Sequence, residues 1–144
     1  MAVSFEGITP IFRVSNLQTS IDYYVGVLGF ELDFRYGEGF ASISRGRCGI
    51  FLAADDQGNL PTWAWVGVSD AEALHDQWRA KGAKIRHPPT NYKWAYEMQV
   101  EDPDGNVLRF GSDQKEDQPI GEWLDMNGVR WSPRAEGGWT RVPE

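Results

Sequence analysis

The sequence predicts an α+β protein of two β-α-β-β-β modules that form a curled, incompletely closed eight-stranded sheet or barrel, followed by a C-terminal extension. Two observations predict this fold. Residues 94–111 contain a hairpin signal, in which Asp102-Pro103-Asp104-Gly105 separates two segments of alternating polarity. The order strand, helix and three strands also occurs twice, and Val14 of the first copy matches Val68 of the second.

The first module spans residues 7–54 and opens with an alternating strand over Gly7–Val14. Pro10 lacks an N–H group, which favours a place at the edge of a sheet. Ser15 or Asn16 caps the next helix, whose apolar residues recur at helical spacing up to the glycine that ends it. Turn residues then separate three strands, predicted at about Phe30–Tyr36, Gly39–Arg45 and Cys48–Ala53.

The second module spans residues 61–111, and its helix begins after a cap at Ser69 or Asp70. Residues 87–93 contain two consecutive prolines and are predicted to form a loop before the hairpin. The strands are predicted at Thr62–Val68, Ala83–Arg86 and in the hairpin 94–111. We therefore expect one domain over residues 1–112 and a tryptophan-containing extension over 113–144.

Alternation within the strands gives the predicted sheet two different faces. The helices are expected to cover an apolar face, which includes Phe12, Leu52 and Phe110. The opposite face carries Thr9, Ile11, Arg13, Phe51, Ala53, Trp63, Trp65, Val107 and Arg109. If the sheets curl, this second face lines an aromatic groove with a few polar groups, as in many small-molecule sites.

The extension contains Trp123, Trp131 and Trp139, spaced eight residues apart. Disordered tails are poor in aromatic residues, so we expect this segment to pack on the body or on a partner subunit, as a short hairpin. The sequence does not indicate what the extension does for function.

Composition narrows the function classes. The 144 residues carry a net charge of −7, which argues against nucleic acid or an anionic membrane surface and is compatible with a cationic ligand. Cys48 is the only cysteine, and the sequence shows neither a signal peptide nor an apolar run long enough to span a membrane. A cytoplasmic location is therefore expected. Two histidines without ligand-like spacing make a zinc site unexpected.

The repeated modules, together with L-G-F at Leu28–Phe30 and D-P-D-G-N-V-L-R-F at Asp102–Phe110, resemble the vicinal oxygen chelate superfamily. This superfamily includes glyoxalase I, extradiol dioxygenases and bleomycin-resistance proteins. Its metal enzymes place His, Glu or Gln at four facing positions. Here the corresponding residues are Thr9, Phe51, Trp63 and Arg109, so we expect neither a catalytic metal nor a cofactor.

Within the superfamily the chain is most similar to the antibiotic-binding bleomycin-resistance proteins. The residues that carry this similarity are Gly39–Ser44, Trp63–Val68, Gln77-Trp78 and Trp94. The resemblance implies a homodimer in which aromatic side chains stack on a flat, cationic antibiotic held between two subunits. Position by position, it implicates Phe40, Trp65 and Trp94, and less directly Phe34.

The predicted ligand-binding set joins these residues with others on the same face: Phe34, Phe40, Phe51, Trp63, Trp65, Trp94 and Arg109. Trp63 and Trp65 either form a ligand platform or fill space between sheets. Arg109 is expected to pair with Glu97 or Glu101, and the alternative is contact with an anionic ligand group. The expected function is non-catalytic sequestration of a bleomycin-type antibiotic. A lyase- or dioxygenase-like enzyme using the same cleft, and a plain interaction module, are the alternatives.

Overall fold

The computed structural model describes residues 2–144 and contains two copies of the expected module. In the first module, the side chain of Asn16 accepts from the N–H of Thr19 and caps helix α1. The helix changes to a π-helical turn over Tyr23–Val27. The elements of this module are β1 (Ile11–Arg13), α1 (Leu17–Asp22), β2 (Glu31–Tyr36), β3 (Phe40–Arg45) and β4 (Cys48–Ala53).

The second module repeats this order. The carboxylate of Asp70 accepts from the N–H of Ala73 at 3.0 Å and caps the second helix. The elements are β5 (Trp63–Gly67), α2 (Ala71–Arg79), β6 (Lys84–Asn91), β7 (Tyr96–Glu101) and β8 (Val107–Ser112). Of the alternative caps predicted for the two helices, the structure uses Asn16 and Asp70.

The eight module strands form two four-stranded mixed sheets, which do not close into a barrel within the described residues. The first sheet has the order β1-β4-β3-β2 and the second the order β5-β8-β7-β6. In each sheet the first strand of the module pairs in parallel with the last one, and the other neighbours are antiparallel. This shared topology confirms the internal repeat that the sequence predicts.

One core serves both modules, because the apolar faces of the two sheets and the helices meet in a single cluster. Trp78 of α2 is 2% exposed and lies edge-on to Phe110 of β8, with ring centroids 4.8 Å apart. The fully buried members include Phe12, Val14, Tyr24, Leu28, Ile43, Leu52, Met98 and Leu108. The apolar face predicted from alternation is therefore the buried one.

The turn of the β7–β8 hairpin also joins the modules. Gly105 adopts φ +83°, which closes the turn as the sequence predicts. Asp102, 1% exposed, accepts from the hydroxyl of Tyr24 at 3.0 Å, and Asn106 donates to the carbonyl of Arg13 at 2.9 Å. Burial raises the pKa of Asp102, and burial beside that carboxylate raises the pKa of Tyr24.

The extension folds into a third, antiparallel sheet of three strands, β9 (Trp123–Leu124), β10 (Arg130–Pro133) and β11 (Trp139–Arg141). It packs on the second module. Of the two positions expected for it, the body or a partner subunit, this is the body. The amide of Gln99 donates to the carbonyl of Leu124 at 2.9 Å, and Arg86 donates to the carbonyls of Leu124 and Asp125. The extension has three strands, whereas the predicted short hairpin has only two.

Two boundary predictions are wrong for physical reasons. The predicted strand Gly7–Val14 shortens to Ile11–Arg13, because only these three residues pair with β4, the one neighbour of this edge strand. Residues 87–91, including the two prolines, belong to strand β6 rather than to a loop. An edge strand tolerates proline, and the register shifts twice where these residues pass β7.

Among residues 2–144, no helix has the length and apolar character needed to cross a membrane.

Candidate functional site

The helix-free face of the first sheet carries four aromatic rings in mutual contact, which we call the open aromatic cluster: Phe34, Tyr36, Phe40 and Phe51. Phe34 and Tyr36 lie on β2 with ring centroids 5.2 Å apart. Phe40 on β3 lies 5.2 Å from Phe51 on β4 and 6.3 Å from Phe34. Strand pairing places Tyr36 opposite Phe40. Three neighbouring strands therefore present one continuous aromatic surface.

This surface is accessible to a ligand. Phe34 is 38% exposed and Tyr36 70% exposed, whereas Phe40 and Phe51 are half-buried. Phe34, Phe40 and Phe51 are site residues predicted from the sequence, and the structure brings all three together. Tyr36 is not among the predicted residues, although its position two residues after Phe34 on the same strand is a sufficient signal.

Trp65 is the most exposed residue of the predicted set on the second sheet. Its indole lies close to the backbone of Gly67 and Gly111, where a Cβ atom on Gly111 would fall 2.7 Å from the ring. Any larger residue at Gly111 would displace the indole. Trp65 nevertheless remains 52% exposed, so part of its ring is available for stacking.

Glu97 joins three of the predicted residues. Arg109 donates to both of its carboxylate oxygens, at 2.7 and 3.0 Å, and the indole N–H groups of Trp94 and Trp65 donate to it at 2.5 and 3.3 Å. Glu97 is only 1% exposed. Of the alternatives left open for Arg109, the structure supports pairing with Glu97, not Glu101. Sequence analysis does not identify Glu97 as the acceptor shared by these side chains.

Trp63 lies at the junction with the extension. Its ring centroid is 6.3 Å from that of Trp123, and the guanidinium of Arg86 lies 5.2 Å from its centroid. The guanidinium of Arg109 lies over Trp123 at 5.0 Å. The extension therefore covers the part of the second sheet that holds Trp63 and Gln99, which we call the covered face. These contacts agree with one of the two alternatives for Trp63, in which its ring fills space between sheets.

Trp94 also contacts the extension, from the segment between β6 and β7. It stacks on Tyr92 with centroids 4.8 Å apart and an angle of 5° between the ring planes. Trp123 and Trp139 lie 5.9 and 6.3 Å from it. Burial raises the pKa of Tyr92 to about 12. Trp94 nevertheless stays 49% exposed, so the extension leaves part of its surface accessible.

The four positions that the resemblance aligns with metal ligands hold Thr9, Phe51, Trp63 and Arg109. Thr9 is exposed, Phe51 belongs to the open aromatic cluster, and Arg109 is paired with Glu97. Residues 2–144 contain no group of three or more His, Cys, Asp or Glu side chains arranged to hold a metal ion. His87 lies in β6 rather than in the predicted loop, and burial lowers its pKa.

Comparisons with known proteins agree with this fold. An uncharacterised protein of Mycolicibacterium smegmatis (strain ATCC 700084 / mc(2)155) is 34% identical over 109 residues, which is 73% of this chain and 91% of that protein. The bleomycin-binding protein from bleomycin-producing Streptomyces verticillus, in complex with copper(II)-bleomycin, superposes with a TM-score of 0.64 at 25% identity, covering 78% of this chain and 100% of that chain.

Two further structures are similar in fold. TnmS3, an antibiotic-binding protein from Streptomyces sp. CB03234, gives a TM-score of 0.67 at 17% identity, and TioX from Micromonospora sp. ML1 gives 0.65 at 19%. Each match covers 78% of this chain and all of the other chain. The family model for the Glyoxalase/Bleomycin resistance protein/Dioxygenase superfamily matches residues 7–110. This chain therefore belongs to the glyoxalase/bleomycin resistance protein/dioxygenase superfamily.

Proposed function

We propose that this protein binds a small, flat and cationic molecule of the bleomycin type and sequesters it without chemical reaction. The observation that carries the proposal is the open aromatic cluster, because four contiguous rings on an accessible sheet face offer wide stacking area. The similarity to a bleomycin-binding protein that covers all of that chain supports the same class of ligand.

The charge of the protein favours a cationic ligand. The net charge of −7 attracts cations over a distance of about one Debye length, which is about 8 Å at physiological ionic strength. A cation over an aromatic face gains about 0.5–2 kcal/mol per contact. Arg109 would oppose such a ligand if it were free, but its guanidinium is held by Glu97.

We further propose that two subunits complete the site, as the resemblance to bleomycin-resistance proteins implies. The open aromatic cluster would form one wall, and Trp65 and Trp94 of a second subunit the other. Apolar residues of the N-terminal segment support an interface, since Val3, Phe5 and Ile8 are between 85% and 100% exposed. Light scattering at tens of micromolar should give the mass of two chains, and the mass of one chain would contradict this arrangement.

The residues at the four metal positions support a binding role over the enzyme alternative. A threonine hydroxyl, two aromatic rings and an ion-paired guanidinium provide none of the carboxylate or imidazole donors that usually hold a catalytic divalent metal. Binding by stacking needs no such donors. We accordingly assign no catalytic residue.

The proposal is tested by calorimetric titration with copper(II)-bleomycin. Phe34→Ala should weaken binding about tenfold, in line with the loss of one aromatic contact to a cationic ligand. Val25→Ala is the matched control, because Val25 has the same 38% exposure but lies on the π-helical turn. Equal affinity of the two variants for copper(II)-bleomycin would show that the open aromatic cluster is not part of the binding site. Undetectable binding by the unmodified protein would refute the proposed ligand class.

A further inference from the structure

The extension and Trp94 form an open hollow with aromatic walls, which is separate from the open aromatic cluster. Trp94, Trp123, Trp131 and Trp139 line it together with Asp125, and its volume is about 400 Å³. We call this set the tryptophan cage. Four of its five members lie beyond residue 110, where the match to the superfamily ends. The cage is therefore an addition to the shared fold.

Strand pairing explains how the sequence builds the cage. The three tryptophans of the extension lie on three different strands, one on each. Trp131 pairs directly with Trp123, and Pro133, two residues further along β10, pairs with Trp139. Since side chains two residues apart point to the same face, all three indoles project from one side of the sheet. The pairing register of the three strands produces this alignment.

Asp125 gives the cage a fixed negative charge. Its carboxylate accepts from the backbone N–H groups of Asn127 and Val129 and from the indole N–H of Trp131, each at 2.9 Å. The bond from Trp131, followed by those from the backbone, lowers the pKa of Asp125, so it is ionised at neutral pH. The carboxylate is thereby oriented beside an indole ring of the cage wall.

The charged side chain that lines the cage is acidic, and the nearby guanidiniums of Arg86 and Arg109 lie outside this lining. Within the part of the chain that the structure describes, no lysine or arginine lines the cavity. A neighbouring cavity of about 530 Å³ shares Trp94 and Trp139 but includes Lys93 and Arg134 in its lining. The same two indoles thus border one basic and one acidic space. On its inner side, Trp123 already holds a cation against its ring, the guanidinium of Arg109 at 5.0 Å.

We propose that the tryptophan cage binds the quaternary or methylated ammonium group of a small organic molecule. Indole rings beside a carboxylate suit a weakly hydrated organic cation, because the negative ring face attracts the cation and the cation loses little hydration on entry. A volume of about 400 Å³ accommodates a trimethylammonium group and its short substituent. The cage shares Trp94 with the proposed antibiotic site, but its other four members are not part of that site.

Two probes of nearly equal shape provide the test on the unmodified, full-length protein. Choline carries a trimethylammonium group, and 3,3-dimethyl-1-butanol replaces its charged nitrogen with carbon. Titration followed by the indole N–H signals in NMR spectra should show at least about fivefold tighter binding of choline, in line with the cation–π contribution. Equal affinity for the two probes, or no response to either, would overturn the proposal.

Variants then locate the binding. Trp131→Ala should weaken choline binding about tenfold, and Trp131→Phe, which keeps an aromatic face, should weaken it less. Met126→Ala is the matched control, because Met126 lies in the same turn as Asp125 but is 73% exposed and outside the cage lining. Thermal melts verify that each variant folds. Unchanged choline affinity in folded Trp131→Ala would contradict the assignment, whatever the result of the bleomycin titration.

Discussion

The helix-free faces of the two sheets have the same topology but different surroundings. On the first sheet, Phe51 lies among aromatic rings that are open to solvent. On the second sheet, Trp63 lies beneath Trp123 of the extension and beside the guanidinium of Arg86. A repeated module therefore does not imply a repeated binding surface. The extension, which comes after the second module in the chain, covers part of the second face and leaves the first face open.

The same contrast separates two neighbouring residues. Trp63 and Trp65 lie two positions apart on β5 and point to one face, yet Trp65 is 52% exposed and Trp63 is half-buried. The extension covers one indole and leaves the other accessible. The sequence predicts one groove for the ligand-binding residues. In the structure these residues lie in three regions: the open aromatic cluster, an accessible part around Trp65 and Trp94, and the covered face.

The largest effect is expected on the second sheet from Glu97→Ala. This change leaves Arg109 without its partner and removes the acceptor of Trp65 and Trp94, so we expect a loss of about 3 kcal/mol in the free energy of unfolding. Urea unfolding measures it. Glu97→Gln retains an acceptor oxygen and should lose less. A loss below about 1 kcal/mol in Glu97→Ala would show that the carboxylate does not organise this face.

A smaller effect is expected from loosening the extension. Arg86→Ala removes donors to the carbonyls of Leu124 and Asp125, and we expect a loss of about 2–3 kcal/mol together with faster proteolysis of residues 113–144. Limited proteolysis and urea unfolding measure both effects.

The matched control for Arg86→Ala is Arg130→Ala, since Arg130 is 59% exposed and lies 3.7 Å from Glu122. It should change stability by less than about 0.5 kcal/mol. Equal proteolysis of the two variants would mean that Arg86 does not hold the extension on the second sheet.

The smallest effect concerns pH. Hydrogen bonds from Trp131 and the backbone lower the pKa of Asp125 below 3.8, so its stabilising contribution is present above that pH and is lost as the pH falls through the lowered pKa. The pKa shift of Asp102 has the opposite sign, because burial raises this pKa. Acidification therefore does not remove a stabilising contribution of the Asp102 carboxylate. Near-ultraviolet circular dichroism should show the tryptophan signal of the extension changing only once the pH falls below 3.8. An unchanged acid midpoint of this signal in Asp125→Asn would contradict the link to Asp125.

Local signals account for what could be predicted from the sequence. The cap at Asp70 and the turn that Gly105 closes depend on residues only a few positions apart, and both form as expected. Ring contacts among Phe34, Phe40 and Phe51 follow from alternation once the strands are aligned. These features need no knowledge of how distant segments pack.

Contacts between distant segments account for what could not be predicted. Arg86 reaches carbonyls 38 and 39 residues away in the chain, and no periodicity marks such a contact. The acceptor role of Glu97 depends on three donors from three different segments. The spacing of Trp123, Trp131 and Trp139 indicates order in the extension, but the surface that it covers depends on tertiary packing.

The most direct test of the account compares Trp63 with Trp65 during ligand binding. The protein contains seven tryptophans, and their indole N–H signals can be assigned in NMR spectra by single substitutions. On titration with metal-free bleomycin, the signal of Trp65 should shift strongly and that of Trp63 should stay in place, because only Trp65 has an accessible ring face. A shift of Trp63 and Trp123 with no change at Trp65 would place the ligand on the covered face and contradict the account.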